Sequence, residues 1–339
     1  MPAMPNVSDP STATLPELAR EFDRLGEKTA QVRAAVGRII IGQQAVIDQT
    51  LITILSGGHA LLVGVPGLAK TRLAAVMGKV LGLEDARIQF TPDLMPSDIL
   101  GSEVLEESAS GKRGFRFIQG PVFCQLLMAD EINRASPRTQ SALLQAMQEH
   151  HVTVAGRHYD LPKPFHVLAT QNPLEQEGTY PLPEAQLDRF LFQIDVDYPD
   201  AQSERRMLLA TTGVAETTPP QVMQAEELLA AQRLVRSLPV GEAVIDAILK
   251  LVRAARPGEG AMPEISPHIA WGPGPRAGQA LMLAVRARAL LDGRYSPSVE
   301  DVVELAGPVL RHRMALNFMA RAEGVTIAGI VGKLCGNLL

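Results

Sequence analysis

Apolar residues recur at helical spacing near the start of the chain and then give way to short continuous runs. Residues 18–36 place their apolar side chains on one face of a helix, and a second helical pattern covers 43–56. The run ALLVGV at 60–65 is apolar and bounded by turn residues, which is typical of a strand buried on both faces of a parallel sheet. Further candidate strands, separated by helical segments such as 137–150, lie at 87–90, 126–129, 166–170 and 190–196. The pattern predicts βαβ units and an open parallel sheet.

After Pro199 only helical periodicity remains. Residues 201–222 include the Thr/Pro-rich stretch TTGVAETTPPQV and are predicted to be a linker. Helical patterns follow at 225–235, 242–255, 276–291 and 298–315, with a proline-rich irregular stretch at 257–274. The predicted organisation is a disordered tail (1–14), an α/β core (15–200), a linker (201–222) and an all-helical domain (223–339).

Composition narrows the class of protein without naming a function. The 339 residues are 46% apolar and 20% charged, enough for a folded core. With Lys and Arg at 32 against Asp and Glu at 37, the formal net charge is −5, so the basic excess typical of nucleic-acid binding is missing. The two cysteines form no metal or disulfide pattern. No apolar run is long enough to span a membrane, and the first residues do not resemble a signal peptide. We expect a cytoplasmic protein with no membrane span and no nucleic-acid partner.

The segment GVPGLAKT lies between the first predicted strand and the next helix, where a P-loop binds nucleotide phosphates. Its residues are Gly64, Val65, Pro66, Gly67, Leu68, Ala69, Lys70 and Thr71. Inward-facing backbone N–H groups and the helix N-terminus favour phosphate oxygens. We expect Lys70 to reach the β- and γ-phosphates and the Thr71 hydroxyl to bind Mg²⁺. Ala69 stands where the strict pattern has Gly, but helical backbone angles suit Ala, and the loop is expected to close.

Two further predicted strands end in polar residues that suit phosphoryl transfer. The strand LLMA is followed directly by Asp130 and Glu131. Asp130 would hold Mg²⁺ through water, and Glu131 would orient and polarise the attacking water. Asn172, in the sequence ATQNP, could hydrogen-bond that water or the γ-phosphate. An Asn before Pro is also a common turn residue, and the sequence leaves both interpretations open.

These three motifs together resemble AAA+ ATPases, and more closely the MoxR family of that class. The segments that carry the resemblance are GVPGLAKT, TPDLMPSDILGSEV (91–104), FRFIQGPVF (115–123), ADEINRASPRTQSALLQAMQE (129–149), ATQNP (169–173), LPEAQLDRFLF (182–192) and GPGPRA (272–277). The family resemblance implies a P-loop αβα core with a parallel sheet, followed by an all-α lid. It also implies ATP hydrolysis with ATP and Mg²⁺ as cofactors, in a homo-oligomeric ring that is expected to be a hexamer.

Several residue roles follow from the resemblance. Asn172 matches the sensor 1 position, and Arg189 matches the arginine finger that completes a neighbouring subunit's site. Arg276 in the predicted lid matches sensor 2. Ile41 and Gly42 match the stretch that lines the adenine pocket. Each arginine could instead be an ordinary surface or ion-paired side chain. A guanidinium that faces the γ-phosphate would offset charge in the transition state.

Other features also match the family. Arg134 is a further charge near the two acids and could contact a neighbouring subunit. Gly274 stands where the family usually has a small hydroxyl residue, which leaves the lid geometry open. Residues 102–117 match an insert of this clade, and 152–163 predict a hairpin with its turn at Gly156. Both could equally be ordinary surface hairpins.

The resemblance also implies a chaperone-like role, in which the protein remodels or activates a client complex during metalloenzyme maturation. A separate protein with a von Willebrand factor A (VWA) domain would act as adaptor. The alternatives are a nucleic-acid-associated AAA+ motor, a chelatase-type motor subunit and a scaffold that binds nucleotide without hydrolysis. The acidic charge balance disfavours the first, and the intact Lys70, Asp130, Glu131 and Asn172 disfavour the last.

Overall fold

The computed structural model describes residues 15–107, 113–175, 178–211, 218–258 and 260–338. The predicted tail at 1–14 lies outside the described residues. The strands are β1 (Ala60–Val63), β2 (Asp85–Gln89), β3 (Gly101–Glu107), β4 (Arg113–Gln119), β5 (Leu126–Asp130), β6 (His151–Val154), β7 (Arg157–Asp160), β8 (His166–Gln171), β9 (Phe192–Asp195), β10 (Ile269–Trp271) and β11 (Ala315–Leu316). The helices are α1 (Leu15–Gly37), α2 (Gln44–Leu55), α3 (Lys70–Leu81), α4 (Pro96–Leu100), α5 (Pro137–Glu149), α6 (Glu184–Leu187), α7 (Ala201–Thr211), α8 (Ala225–Ser237), α9 (Glu242–Ala254), α10 (Pro275–Leu291), α11 (Val299–Leu310), α12 (Phe318–Ala322) and α13 (Ile327–Gly336).

A five-stranded parallel sheet in the order β2-β5-β8-β1-β9 forms the centre of the first half. Alternate strand residues enter two separate hydrophobic clusters, because successive side chains of a strand point to opposite faces. Leu62 and Met128 join the cluster that includes α1, α2 and α3, whereas Leu61 and Leu127 join the cluster formed with α5. Helices therefore cover both faces of the sheet, and the predicted αβα core is confirmed.

Two antiparallel hairpins project from this core. The first pairs β3 with β4, and the second pairs β6 with β7. The second turns at Gly156, as the sequence predicts, with a positive φ of 78°. The rings of Phe117 and Tyr159 stack at 4.0 Å between centroids and join the two hairpins.

The second half of the chain is the helical lid, formed by α8 to α13. Within the described ranges, none of the helices has the length and apolarity needed to cross a membrane. Some boundaries differ from the sequence prediction. The predicted linker begins with helix α7, because residues 201–211 are mostly helix formers and Asp200 accepts hydrogen bonds from Ser203 at the start of the helix. Helix α11 ends at Leu310 instead of continuing to residue 315, because the chain turns there and β11 pairs with β10.

Candidate active site

The P-loop lies between β1 and α3, at the carboxyl end of the parallel strands. Gly67 has a φ of 87°, with open space around it. Ala69 has a φ of 57° and is therefore left-handed, so the expectation of ordinary helical angles at this position is wrong. A left-handed alanine costs roughly 1–2 kcal/mol because its Cβ approaches the following carbonyl oxygen. The loop closes nevertheless, since the carbonyl of Ala69 accepts the first helical hydrogen bond from the N–H of Leu73 at 2.8 Å.

Close backbone packing fixes the position of this loop. A Cβ on Gly64 would lie 2.5 Å from the carbonyl oxygen of Val196, so only glycine fits there without a shift. On the other side, the Gln43 amide donates to the carbonyl oxygen of Leu68 at 3.2 Å. The loop is therefore held at both ends.

The Lys70 ammonium folds back over the loop. It donates to the carbonyl oxygens of Gly64 and Val65 at 2.6 and 2.7 Å. Partial burial lowers the pKa of Lys70, and the nearby carboxylates of Asp130 and Glu131 oppose that shift. The amine therefore lies on the phosphate-facing loop with both acids close by.

Asp130 is the meeting point of three elements. Its Oδ2 atom accepts hydrogen bonds from Thr71 Oγ1 at 3.0 Å and from Arg87 Nε at 3.0 Å. Its Oδ1 atom accepts from Thr170 Oγ1 at 2.7 Å. The structure thus brings the two predicted metal ligands, Thr71 and Asp130, into direct contact. A hydroxyl and a carboxylate are the hard oxygen donors that Mg²⁺ prefers, and Mg²⁺ typically takes only one or two protein ligands. The residues present therefore fit this ion.

Glu131 follows Asp130 in a left-handed backbone conformation, with a φ of 55°. Its Oε2 atom accepts from the Gln89 amide at 2.7 Å and from Arg134 at 3.0 Å, and its backbone N–H donates to Thr170 Oγ1 at 2.8 Å. The carboxylate is held at the mouth of the site and partly exposed to water. Within this subunit Arg134 is an ion-pair partner of Glu131.

These side chains line one cavity of about 420 Å³, within the range of 300–1,000 Å³ typical of ligand pockets. Its lining includes residues 66–72, Arg87, Gln89, Asp130, Glu131, Thr170 and Asn172. Asn172 is buried, and its Oδ1 atom accepts from the N–H of Leu174 at 3.1 Å. It therefore forms a local turn and also lines the cavity, and its contact with water or the γ-phosphate stays a prediction.

The predicted adenine stretch lies beside the P-loop but does not line this cavity. Ile41 is half-buried and Gly42 is exposed, in the turn between α1 and α2. A Cβ on Gly42 would lie 2.4 Å from the Cβ of Ser203, and Pro199 is also close. The start of α7 therefore packs directly over this stretch.

Arg189 and Arg276 lie together in a different cavity. Its volume is about 260 Å³, and it is lined by residues of the core and of the lid, including His59, Gln148, Gln279 and Arg313. The Arg276 guanidinium lies 3.5 Å from the carboxylate of Asp188 and is exposed. Neither arginine lines the P-loop cavity of the same subunit. The structure therefore separates the predicted site residues into two groups.

Comparisons with known proteins match both halves of the chain. A family profile described as "ATPase family associated with various cellular activities (AAA)" matches residues 59–192, and one described as "AAA lid domain" matches 264–333. Chaperone MoxR1 of Mycobacterium tuberculosis is 42% identical over 300 residues, covering 88% of this chain and 78% of that protein. Protein MoxR of Paracoccus denitrificans is 33% identical, covering 84% and 87% of the two chains.

The chain belongs to the MoxR family of AAA+ ATPases. A solved structure of a "putative ATPase" from Cytophaga hutchinsonii supports the ATPase class and the fold, at 37% identity and a TM-score of 0.87, covering 94% of this chain and 97% of that one. The predicted family and the ATPase class are thereby confirmed, together with the core-and-lid fold. A nucleotide ligand follows from membership of the AAA family.

Four polar residues of this MoxR-family site were not anticipated from sequence. Arg87 and Gln89 lie two positions apart on β2, so both face the acids at the end of β5. The sequence signal was the polar alternation in the segment RIQ. Thr170 bridges Asp130 and the backbone of Glu131. Nothing in the sequence around Arg313 indicates its role, because its partners are residues far away in the chain or backbone carbonyl oxygens.

Proposed function

We propose that this chain is a MoxR-type chaperone that hydrolyses ATP in a ring oligomer and uses the energy to remodel or activate a client complex. The observation that carries the proposal is the separation of the two groups of site residues. Lys70, Thr71, Asp130 and Glu131 share one cavity, whereas Arg189 lies in another. A site with an incomplete set of phosphate-binding cations is completed when a neighbouring subunit supplies the arginine.

Within one subunit, the residues of the P-loop cavity divide the work of phosphoryl transfer. The backbone N–H groups of the P-loop, which every residue of 64–71 except Pro66 carries, bind the phosphates. Lys70 exchanges its loop carbonyl partners for the β- and γ-phosphates. Thr71 and Asp130 would hold Mg²⁺, which would supply positive charge to neutralise the phosphate oxygens. Glu131 orients the attacking water and accepts its proton. Asn172 positions the same water or the γ-phosphate.

The adenine end of the nucleotide lies against Ile41 and Gly42. Support comes from the hydrogen bond between Gln43 and the carbonyl of Leu68, which joins this stretch to the P-loop. A change in the P-loop on phosphate binding would therefore shift the residues that contact the adenine.

The arginines act across a subunit boundary. Arg189 completes the site of a neighbouring subunit in a hexameric ring, and Arg276 beside it contacts the same nucleotide. Support comes from their proximity in one core–lid cavity and from the exposure of Arg276. A guanidinium that faces the γ-phosphate stabilises the charge of the transition state and can be worth 10³–10⁵ in rate.

The client and the adaptor are the most detailed part of the proposal, and both are inferred from the family resemblance. We expect a metalloenzyme or its assembly complex as client and a separate VWA-domain protein as adaptor. A relative, MoxR1 of Mycobacterium tuberculosis, carries the name chaperone. The work is expected in the cytoplasm.

The test is a pull-down with the Glu131→Gln variant in ATP and Mg²⁺, read by mass spectrometry. This variant should bind ATP and remain engaged with its partners. Lys70→Ala is the matched control, since it should fail to hold ATP. Recovery of a VWA-domain protein or a metalloenzyme with the first variant alone supports the proposal. Recovery of nucleic acid would favour a nucleic-acid motor, and recovery of porphyrin-synthesis enzymes would favour a chelatase motor; either would overturn it.

The assembly requirement has its own test. The ATPase rate per subunit should fall as the protein is diluted below the concentration at which the oligomer dissociates, measured beside its mass by light scattering. A rate per subunit that stays flat down to fully monomeric protein would contradict the role of Arg189 across subunits.

A further inference from the structure

The segment that carries Arg189 is a short connection between α6 and β9, formed by residues 188–191, here called the finger segment. It has no regular secondary structure of its own beyond turns, so its position depends on what binds its backbone. On the core side, the N–H of Leu191 donates to the carbonyl oxygen of His59 at 2.8 Å. The N–H groups of Asp188, Arg189 and Phe190 donate to carbonyl oxygens of helix α6 at 3.0–3.2 Å. Its remaining partners come from the lid.

One lid side chain, Arg313, holds most of this segment. Its Nη2 atom donates to the carbonyl oxygens of Phe190 at 2.7 Å and Asp188 at 3.3 Å, and its Nη1 atom donates to the carbonyl of Leu191 at 3.0 Å. Its Nε atom donates to the carboxylate of Asp188 at 2.7 Å. The guanidinium thus binds three of the four residues of the finger segment.

The lid anchors Arg313 in turn. Its Nη1 atom also donates to the carbonyl oxygen of Val309 in α11, at 2.7 Å, and only 3% of its side chain is exposed. The neighbouring His312 donates through Nε2 to the carbonyl of Phe190 at 3.1 Å. Burial keeps the His312 ring neutral by lowering its pKa well below the ordinary value. The finger segment and the end of α11 are therefore one bonded unit.

Arg189 itself is in the opposite situation. Within the described residues, its guanidinium takes part in no hydrogen bond or ion pair. The backbone that carries it is held by a buried guanidinium, whereas its own guanidinium is left available to bind something outside the subunit. A free charge on a firmly held backbone is the arrangement that precise transition-state contact requires.

We propose that Arg313 is a positioning residue, which ties the finger segment to the lid so that the position of Arg189 follows the lid domain. A lid movement in one subunit would then move the arginine offered to its neighbour. This inference rests on the proposed function, since it requires Arg189 to act in a neighbouring site. It adds Arg313 to the residues that control hydrolysis. The position of the lid in one subunit would then determine the hydrolysis rate in the next.

The planar fork of Arg313 is the property to test. A lysine keeps one positive charge for Asp188 but cannot bind several carbonyl oxygens at once. Arg313→Lys is therefore the main variant, because it preserves charge and most of the side-chain volume. Arg311→Gln is the matched control: Arg311 lies two residues away in the same lid segment and forms an ion pair with Asp195 of the core, but it does not touch the finger segment.

The experiment uses mixed oligomers. Arg189→Ala and Glu131→Gln subunits, each inactive alone, are co-expressed with different tags and purified through both. Activity should return, because a Glu131→Gln subunit still offers Arg189 to the intact site of its neighbour. Adding Arg313→Lys to the Glu131→Gln subunit should lower this restored activity at least tenfold. Adding it to the Arg189→Ala subunit should lower it less than threefold, as should Arg311→Gln in either subunit.

Two measurements separate a positioning role from simple damage to the fold. ADP binding by Arg313→Lys should stay within threefold of the original affinity, and its thermal unfolding midpoint should stay close to that of Arg311→Gln. Equal loss of activity from Arg313→Lys in either subunit, or no loss, would overturn the inference while leaving the proposed function intact. If mixed oligomers of Arg189→Ala and Glu131→Gln subunits without any further change restore no activity, the proposed function fails, and the inference fails with it.

Discussion

The two cavities that hold the site residues are built in opposite ways. The P-loop cavity is lined by residues at the carboxyl ends of strands in a single sheet, and its central contact joins Thr71 to Asp130. The second cavity, which holds Arg189 and Arg276, lies between core and lid. Its central group, Asp188, pairs with Arg276 and Arg313 from two different lid elements. The first cavity is fixed by one domain. The second keeps its shape only while the core and the lid stay in the same relative orientation.

This difference indicates a division of labour. A cavity fixed within one sheet suits ligand binding that should not vary as the protein moves, because it needs no rearrangement to bind phosphate. A cavity that spans two domains suits a step that should respond to movement, since relative domain motion is common where domains meet. Nucleotide binding should therefore depend on the first cavity, and control of hydrolysis on the second.

The largest expected effect comes from Arg189→Ala. If Arg189 stabilises the transition state as proposed, its removal should lower kcat by about 1,000-fold, whereas ADP affinity should stay unchanged because Arg189 does not line the P-loop cavity. Steady-state kinetics and calorimetric ADP titration measure the two quantities. Arg205→Ala, on the exposed side of α7, is the control. A matching loss of ADP affinity would remove the functional distinction between the cavities.

The next largest effect is expected from Gly64→Ala, which should distort the P-loop cavity and leave the second cavity unchanged. The new Cβ would meet the backbone carbonyl of Val196 at 2.5 Å, and backbone atoms cannot move aside cheaply. We expect the free energy of unfolding to fall by about 2–3 kcal/mol, as for overpacked sites, and ADP affinity to fall as well. Gly241→Ala, with nothing within 4 Å of its added Cβ, is the control. Wild-type stability and affinity in Gly64→Ala would mean that the loop is not held by this packing.

The same contrast explains what the sequence could and could not predict. The P-loop and the acids at 130 and 131 lie on short contiguous segments, so chemistry and position can be inferred from neighbouring residues. Asp188 and Arg313 are 125 residues apart, and nothing near either one indicates its partner. The left-handed backbone of Ala69 was also missed, because the packing of a whole loop overrode the local preference. Sequence reasoning therefore named most of the residues that the structure brings together in the first cavity, but only two arginines of the second.

The third prediction concerns pH and the core–lid boundary. Burial lowers the pKa of His59 to about 3 and that of His166 to about 4, and Gln232 of the lid hydrogen-bonds His166 at 3.0 Å. Both rings are neutral in the folded protein, but in the unfolded chain they bind protons near the ordinary value of 6.5. The unfolded state therefore gains protons as pH falls from about 6.5 to 4, and stability is lost across that window.

Each histidine should contribute a slope of about 1.4 kcal/mol per pH unit. His166→Gln should reduce the slope of unfolding free energy between pH 4.5 and 6 by about that amount, measured by chemical denaturation. The exposed His158→Gln in β7 is the control variant. An unchanged slope in His166→Gln would contradict the assignment of acid sensitivity to the core–lid boundary.

The smallest expected effect lies inside the P-loop cavity, at Arg87. Its guanidinium binds the same Asp130 oxygen that accepts from Thr71, so its positive charge would compete with a metal ion held by both of those residues. Arg87→Gln should therefore lower the Mg²⁺ concentration that half-saturates ATP binding by about threefold, or ~0.6 kcal/mol. Titration of Mg²⁺ with a fluorescent ATP analogue measures this. Arg72→Gln, at the edge of the same cavity, should leave the Mg²⁺ midpoint in place. A higher midpoint in Arg87→Gln would mean that Arg87 assists the metal site, and the first cavity would then rely on a cation from β2 as the second relies on one from the lid.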